Sequence, residues 1–222
     1  MESNGRNALA LIGRHPRLTL SAAAERSARE GIEAFIRERF AARHGARIRH
    51  FMPALLQLED THGAPFGAVG LRSATTESLF LERYLDRPIE AEIARRSCTP
   101  VARSQIVEVG NLAARGTGHA RLLIVALTSL LASQGYDWVV FTGTAELLNS
   151  FGRLDLGLLR LANADPARMG DERADWGSYY DNQPQVMAGN VRRGHACLLA
   201  NGVYHRLGYQ ALTDKVFERA VA

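Results

Sequence analysis

The apolar positions of the chain change period several times along its length, and each change marks an element. Ala28, Ile32, Phe35, Ile36 and Phe40 recur at helical spacing. Ser21 is a suitable cap before them and Gly45 a suitable stop after them, so the spacing predicts a helix from Ser21 to His44. FMPALLQLED and FGAVGLRSA, joined by the turn THGAP, predict a hairpin. SLFLERYLDRPIEAEIARR returns to helical spacing, with Pro88 restarting the helix at a first-turn position. QIVEVGNLAA then reads as a strand, with Ile106, Glu108 and Gly110 on one face and Val107, Val109 and Asn111 on the other.

A helix of about fifteen residues follows, ending at Gln134 before Gly135. YDWVVFTG reads as a buried strand, Thr144 caps a short helix in AELLNSFGRL, and GLLRLAN reads as another strand. From Ala164 to Asn190 the periodicity fails. A loop that long inside a compact domain is functional or disordered, and Trp176, Tyr179 and Tyr180 argue for order. The last thirty residues read as helical. A hairpin that gives way to β-α-β units predicts an α/β fold, one mixed sheet with helices on both faces. It forms a single domain over 1–222, with a core at 18–163 and an irregular, helical C-terminal extension at 164–222.

Composition narrows the class. At 222 residues, 46% hydrophobic, the chain can bury enough surface to fold without a disulfide or a metal. Its two cysteines, Cys98 and Cys197, stand in no ligand-like spacing, so no metal site is expected and a reducing compartment fits. The richest apolar run, Leu122 to Leu131, suits a core helix and is too short for a membrane span. Ala8 to Ile12 is too short for the core of an export signal, so a cytoplasmic protein is expected. The net charge of +4 rests on arginine, since Lys215 is the one lysine. No basic run interleaved with aromatics occurs, and no nucleic-acid partner is expected.

The candidate chemistry begins at ARGTGHA. Arg115, Gly116, Thr117, Gly118, His119 and Ala120 fall between a strand and a helix, where orphan N–H groups and a partial positive charge attract anions. A glycine turn that merely caps a core helix is the alternative. The stretch lacks the lysine and hydroxyl pair of a mononucleotide loop and is not the dinucleotide fingerprint. It resembles the Arg/Gln-x-x-Gly-x-Gly/Ala pattern of the GCN5-related N-acetyltransferase superfamily, with Arg115, Gly118 and Ala120 at the patterned positions. That resemblance implies a GNAT-like fold and a loop whose amides bind the pyrophosphate of coenzyme A.

LFLERYLDRPIE, IVEVGNLAA, WVVFT, ADPARMGD and WGSYYDNQPQVMAGNV resemble the bacterial thermostable hemolysin family over nearly the whole chain. Within the acyltransferase fold, GAVGLRSATTESLFLERYL and VEVGNLA resemble acyl-homoserine-lactone synthases and long-chain N-acyl amino acid synthases. Their strand arginine falls at Gly70, and Asn111 stands where their second arginine would be. The reaction implied is attack of a small amine, such as an amino acid, on an acyl thioester. The donor is acyl-CoA or the phosphopantetheine of an acyl carrier protein, which is then a partner.

Such a reaction needs a base, donors for the developing oxyanion, and an acid or water for the leaving thiolate. Glu108 is the candidate base, with an ion pair to an arginine of the neighbouring strand as its alternative role. Asn111 donates to a carbonyl or completes a turn. The amides of Leu112 and Ala113 stabilise the oxyanion by analogy with the fold. Arg72 and Arg83 are candidate bidentate anchors for an acceptor carboxylate. Trp176 and Tyr179 close the pocket, and Tyr180 is the candidate acid. The rival reading is a protein that lyses membranes directly, for which the arginine-rich, amphipathic N-terminal helix is the best support. One apolar stripe is also what any surface helix shows.

Overall fold

A computed structural model describes residues 6–213. These form one nine-stranded sheet in the order β7-β8-β6-β5-β4-β3-β2-β1-β9. The strands are β1 (Arg6–Ile12), β2 (Leu18–Ala23), β3 (Ala54–Glu59), β4 (Pro65–Ser73), β5 (Ile106–Ala114), β6 (Trp138–Gly143), β7 (Leu158–Asn163), β8 (Gln185–Asn190) and β9 (Gln210–Ala211). The helices are α1 (Arg26–His44), α2 (Ile89–Ser97), α3 (Thr117–Ser133), α4 (Ala145–Gly152), α5 (Val191–Ala200) and α6 (Val203–Arg206). The expected mixed α/β sheet flanked by helices is the one observed. Neighbouring strands pair antiparallel except β5 and β6, which run parallel and are joined by the crossover helix α3.

The two faces carry different cores. Leu56, Leu58, Val69, Leu71, Val107, Val109 and Phe141 pack against Leu123, Ile124, Leu127 and Leu130 of α3 and Leu198 of α5. On the opposite face Ile32, Phe35 and Ile36 of α1 meet Met52, Leu55, Ala68 and Ala113, while Ile89 and Ile93 of α2 meet Ile106, Trp138 and Val140. α3 is apolar on nearly all sides because α4, α5 and the sheet enclose it.

Four sequence expectations change. The helical reading of the last thirty residues holds for α5 and α6, gives way to β9, and beyond 213 lies outside the described residues. The helix predicted from Ser21 begins at Arg26, because Leu18 to Ala23 form β2. Leu18, Leu20 and Ala22 alternate into the α3-side core, and pairing with both β1 and β3 outweighs the capping preference of a serine. Ser21 instead donates from its buried hydroxyl to Glu59 Oε1 at 3.0 Å. Pro88 stands just before α2 as its cap rather than within its first turn. The segment read as patternless contains β8, which lies between β6 and β7 in the sheet. Val186 and Ala188 face one core and Met187 the other, so this strand has no polar side to reveal its period. The sheet thus draws on residues both before 18 and after 163.

The rest of that segment is ordered as a strap of 3₁₀ turns, Pro166–Trp176 and Tyr179–Asn182, folded back over the end of α1. The Arg47 amide donates to the Asp175 carbonyl at 2.6 Å, and the Ser178 amide donates to the His44 carbonyl at 2.8 Å. Between them Gly177 adopts φ 50°, ψ −129°, and a Cβ there would stand 2.0 Å from the His44 carbonyl oxygen. Only glycine fits such an approach. Gly177→Ala is expected to cost about 1–3 kcal/mol and to loosen the strap from α1. Denaturant midpoints and the emission of Trp176 check this, and an unchanged midpoint would contradict it.

Candidate active site

A local fault in the sheet creates the site. β5 and β6 pair only from Ile106↔Trp138 to Val109↔Phe141, after which the two strands part. On its other side β5 continues to pair with β4, but the register slips between Ala68↔Ala113 and Gly70↔Gly110. Two residues, Asn111 and Leu112, therefore stand opposite the single residue Val69. Asn111 has φ 51°, and its side chain holds the bulge. Its Oδ1 accepts the Met52 amide at 2.9 Å and its Nδ2 donates to the His50 carbonyl at 3.3 Å. The bulge also switches faces: Val107 and Val109 lie in the α3-side core, whereas Ala113 lies in the α1-side core. The facing pair Gly70 and Gly110 leaves room for Met52, whose side-chain atoms would fall within 2.5 Å of a Cβ at either position.

A cavity of about 460 Å³ passes through this gap. On the α1 side it is lined by Arg39, Phe40, Arg43 and His44 of α1, by the 47–52 loop, and by Arg72, Phe80, Tyr84, Trp176 and Tyr179. On the α3 side it is apolar, bounded by Ile124, Leu127, Leu131, Phe141, Leu147, Phe151 and Leu156. Glu108 and the freed edge of β5, Gly110 to Ala113, lie between the two ends.

Glu108 is 2% exposed. Its Oε2 accepts the Phe80 amide and its Oε1 the Leu81 amide, each at 2.9 Å. Those amides belong to a 3₁₀ turn, Phe80–Tyr84, fixed by a second carboxylate. Glu82 accepts the Leu79 and Ile89 amides and is gripped by both terminal nitrogens of Arg103, which hold its pKa down at about 2 although burial opposes them. Arg72 is the cross-strand neighbour of Glu108, yet its Nε pairs with Glu77 Oε1 at 3.2 Å. The ion-pair alternative for Glu108 is therefore replaced by amide hydrogen bonds. Burial pushes its pKa up to about 7, and the two amides offset this only in part. Each carboxylate oxygen retains a further acceptor position toward the cavity.

At the α3 mouth the connection from β5 is shorter than expected. Only Arg115 and Gly116 precede the helix, so Thr117, Gly118, His119 and Ala120 form its first turn rather than a loop. The Arg115 amide donates to the Phe66 carbonyl and the Ala120 amide to the Gly116 carbonyl. The Gly116 cap has no side-chain hydrogen bond and the first turn has no acidic residue, which leaves the amides of 116–119 as helix-terminal orphans. A Cβ at Gly118 would meet nothing within 4 Å. Arg115, Gly116, Thr117 and Ala120 line the cavity; Gly118 and the His119 ring, which packs on Phe66, do not.

The other expected residues divide similarly. Asn111, Leu112, Ala113, Arg72, Trp176 and Tyr179 line the cavity. Arg83 does not: it pairs with Glu172 at 2.8 Å and lies over the Phe80 ring. Tyr180 sits behind the wall, its hydroxyl 2.6 Å from that of Tyr84, which does line the cavity. Sequence reasoning missed Arg39, Phe40, His44, Met52, Phe80 and Tyr84. Phe40 and His44 share one face of α1 at i and i+4, with Arg39 at its flank, a spacing visible in the sequence whose target was not. Among the described residues no cluster of His, Cys, Asp or Glu could hold a metal ion, and no helix is long and apolar enough to cross a membrane.

The fold is shared with solved acyltransferase structures. FeeM, an N-acyl amino acid synthase from uncultured soil microbes, superposes with a TM-score of 0.56 at 17% identity, covering 84% of this chain and 98% of its own. BjaI, a CoA-dependent acyl-homoserine lactone synthase solved with SAM and isopentyl-CoA, gives 0.54 at 15%, covering 90% of each chain. TofI, solved in a ternary complex with an inhibitor and MTA, gives 0.54 at 13%, covering 82% and 95%. The class is thus the mixed α/β sheet of these synthases, and the likeness at these identities is one of fold. A comparison with curated proteins finds no match. The chain belongs to the thermostable hemolysin family, whose family model matches residues 22–195.

A carboxyl group whose pKa is higher folded than unfolded binds its proton more tightly in the folded state. Its stabilising contribution is full below about 4.5 and is lost as pH rises through about 7. Relative to Glu108→Gln, which does not titrate, the wild-type chain is expected to lose up to about 3 kcal/mol between pH 4 and pH 8. Urea midpoints of the two proteins across that range measure the difference, and parallel curves would contradict it.

Proposed function

We propose that the chain is an N-acyltransferase that moves an acyl group, specifically a fatty acyl group, from a coenzyme A or carrier-protein thioester to a small amine such as an amino acid. One observation carries the reading: a single cavity crosses the sheet where β5 and β6 part, with a buried carboxyl at its waist and unsatisfied helix amides at one mouth. The open first turn of α3 suits a pyrophosphate, because its orphan amides and the cavity-lining Arg115, Gly116 and Thr117 supply donors and positive charge. The apolar end beyond the gap suits a chain longer than acetyl. The activities of FeeM, an N-acyl amino acid synthase, and BjaI, a CoA-dependent acyl-homoserine lactone synthase, support the same direction.

In this reading Glu108 takes a proton from the attacking amine, directly or through water. The amine nitrogen forms the new bond to the thioester carbon, and amides of the freed β5 edge at Leu112 and Ala113 stabilise the oxyanion. The carbon–sulfur bond then breaks, and the thiolate leaves as a thiol with a returned proton. The returned proton is the one Glu108 took up; Tyr84, which lines the cavity where Tyr180 does not and whose hydroxyl burial keeps protonated, is placed to donate a hydrogen bond to the departing sulfur. Tyr180 fixes the orientation of Tyr84. Lysis follows as a property of the acylated product, a surfactant. Mass spectrometry of reactions holding octanoyl-CoA and mixed amino acids tests the function directly. Lysis of membranes by the purified chain without thioester or amine would favour the direct toxin instead.

Gly118→Asp separates phosphate binding from folding. A carboxylate in the first helical turn favours the helix by about 0.3–1 kcal/mol and repels a bound pyrophosphate. The variant is expected to keep or raise its unfolding midpoint while losing at least about tenfold in calorimetric affinity for CoA. Unchanged CoA affinity would rule out the α3 mouth as the phosphate site.

A further inference from the structure

Six arginines line the cavity: Arg39, Arg43, Arg47, Arg49, Arg72 and Arg115. Five are occupied. Arg43 pairs with Glu146 across the mouth, Arg47 and Arg49 both pair with Asp175, and Arg72 pairs with Glu77. Arg115 lies over the Phe66 ring at the α3 mouth. Arg39 is different. Its Nε is buried without a hydrogen-bond partner, as is that of Arg72, but unlike Arg72 it makes no ion pair or hydrogen bond among the described residues. The cavity's own acids cannot serve it: Glu146 holds Arg43, Asp175 holds two arginines, Glu172 holds Arg83, and Glu108 takes two amides. A guanidinium presents a planar fork of donors that matches a carboxylate, and a buried N–H left unpaired costs stability unless a ligand completes it.

We propose that Arg39 is the anchor for the carboxylate of the acyl acceptor, which makes that acceptor an amino acid or another amine bearing an acid group. This deepens the acyltransfer reading and rests on it. The place of Arg39 supports the assignment. α1 lies on the opposite face of the sheet from α3, so an anion held there reaches the gap from the side away from the phosphate mouth. Phe40, His44, Trp176 and Tyr179 wall the same end with aromatic surface, and a less polar wall strengthens an ionic hydrogen bond. The two positions first expected for this role, Arg72 and Arg83, are already neutralised by Glu77 and Glu172.

Arg39→Gln and Arg39→Lys test the proposal by binding as well as by turnover. The probes are N-octanoylglycine, its methyl ester, and CoA, each titrated calorimetrically into wild type and variants. The wild-type chain is expected to prefer the free acid over the ester by about ten- to hundredfold, and Arg39→Gln to abolish that preference. Arg39→Lys restores it only in part, because a point charge replaces the fork. CoA affinity is expected to be unchanged in both variants. In turnover with octanoyl-CoA, Arg39→Gln should raise KM for glycine while sparing transfer to glycine methyl ester. No preference for the acid in the wild type, or a preference that survives in Arg39→Gln, overturns the proposal while leaving acyl transfer intact. A fall in CoA affinity instead assigns Arg39 to the donor phosphates and equally overturns it. Absence of transfer to every amine removes the underlying reading and the proposal with it.

Discussion

The bulge at Asn111 is the constraint on which the rest of the molecule turns. It inserts one residue into β5 against β4, flips the inward face of the strand, and coincides with the point where β6 departs. A sheet that stayed regular would pair β5 and β6 throughout, and the space now taken by the cavity would be filled by ladder hydrogen bonds. The left-handed backbone at Asn111 is strained for a side-chain residue, though asparagine tolerates it better than most. The amide group repays that strain twice by bonding Met52 and His50. Met52 in turn occupies the room left by Gly70 and Gly110, so bulge, loop and strand pair form one locked unit. Arg29 completes it by donating to the Met52 and Pro53 carbonyls from α1.

Asn111 therefore serves the site by shape. Its two polar ends bond the backbone of the 50–52 loop, the arrangement expected of a residue that completes a turn. Glu108 is held differently. A buried carboxyl that must titrate near neutrality needs partners strong enough to keep it placed and weak enough to leave it basic. Two neutral amides meet that requirement, whereas an arginine would have driven its pKa down, as Arg103 does to Glu82. The contrast between two glutamates on one network, one near 7 and one near 2, comes from the deeper burial of Glu108 and from the guanidinium that only Glu82 accepts directly.

Much of this was legible in the sequence where one physical preference dominated. The β3–β4 hairpin, β5, α3, β6 and β7 all carry periodicities that tertiary packing reinforces, and Gly45 ends α1 as its position implies. What failed was local preference opposed by long-range pairing: Ser21 could cap a helix in isolation, but two neighbouring strands claim it. β8 was invisible because both of its faces are buried, so no polar alternation marks it. At the cavity, Gly116 and Thr117, which line it at the start of α3, were singled out in the sequence by their type. Arg39, Phe40 and His44 were not, because helical spacing gives a face and never says what that face looks at. The direction is set only when the strap at 165–182 and the 47–52 loop close over it.

The arginine bias acquires a different meaning in the folded chain. With one lysine among 27 basic residues, the sequence invites a search for an external polyanion. Inside the fold many of these forks are spent on the chain itself. Arg96 holds the Arg160 and Leu161 carbonyls at the edge strand β7, Arg103 joins Glu82, Glu90 and the Ala74 carbonyl, and Arg6 meets Glu59. A fork that makes two bonds at fixed angles can staple irregular backbone in a way that a lysine ammonium cannot. Arginine here substitutes for regular secondary structure around the 3₁₀ turns, the strap and the sheet edge. The mild net charge is the remainder of an internal scaffold, and it explains why a guanidinium left without a partner in the cavity is conspicuous in a chain so rich in arginine.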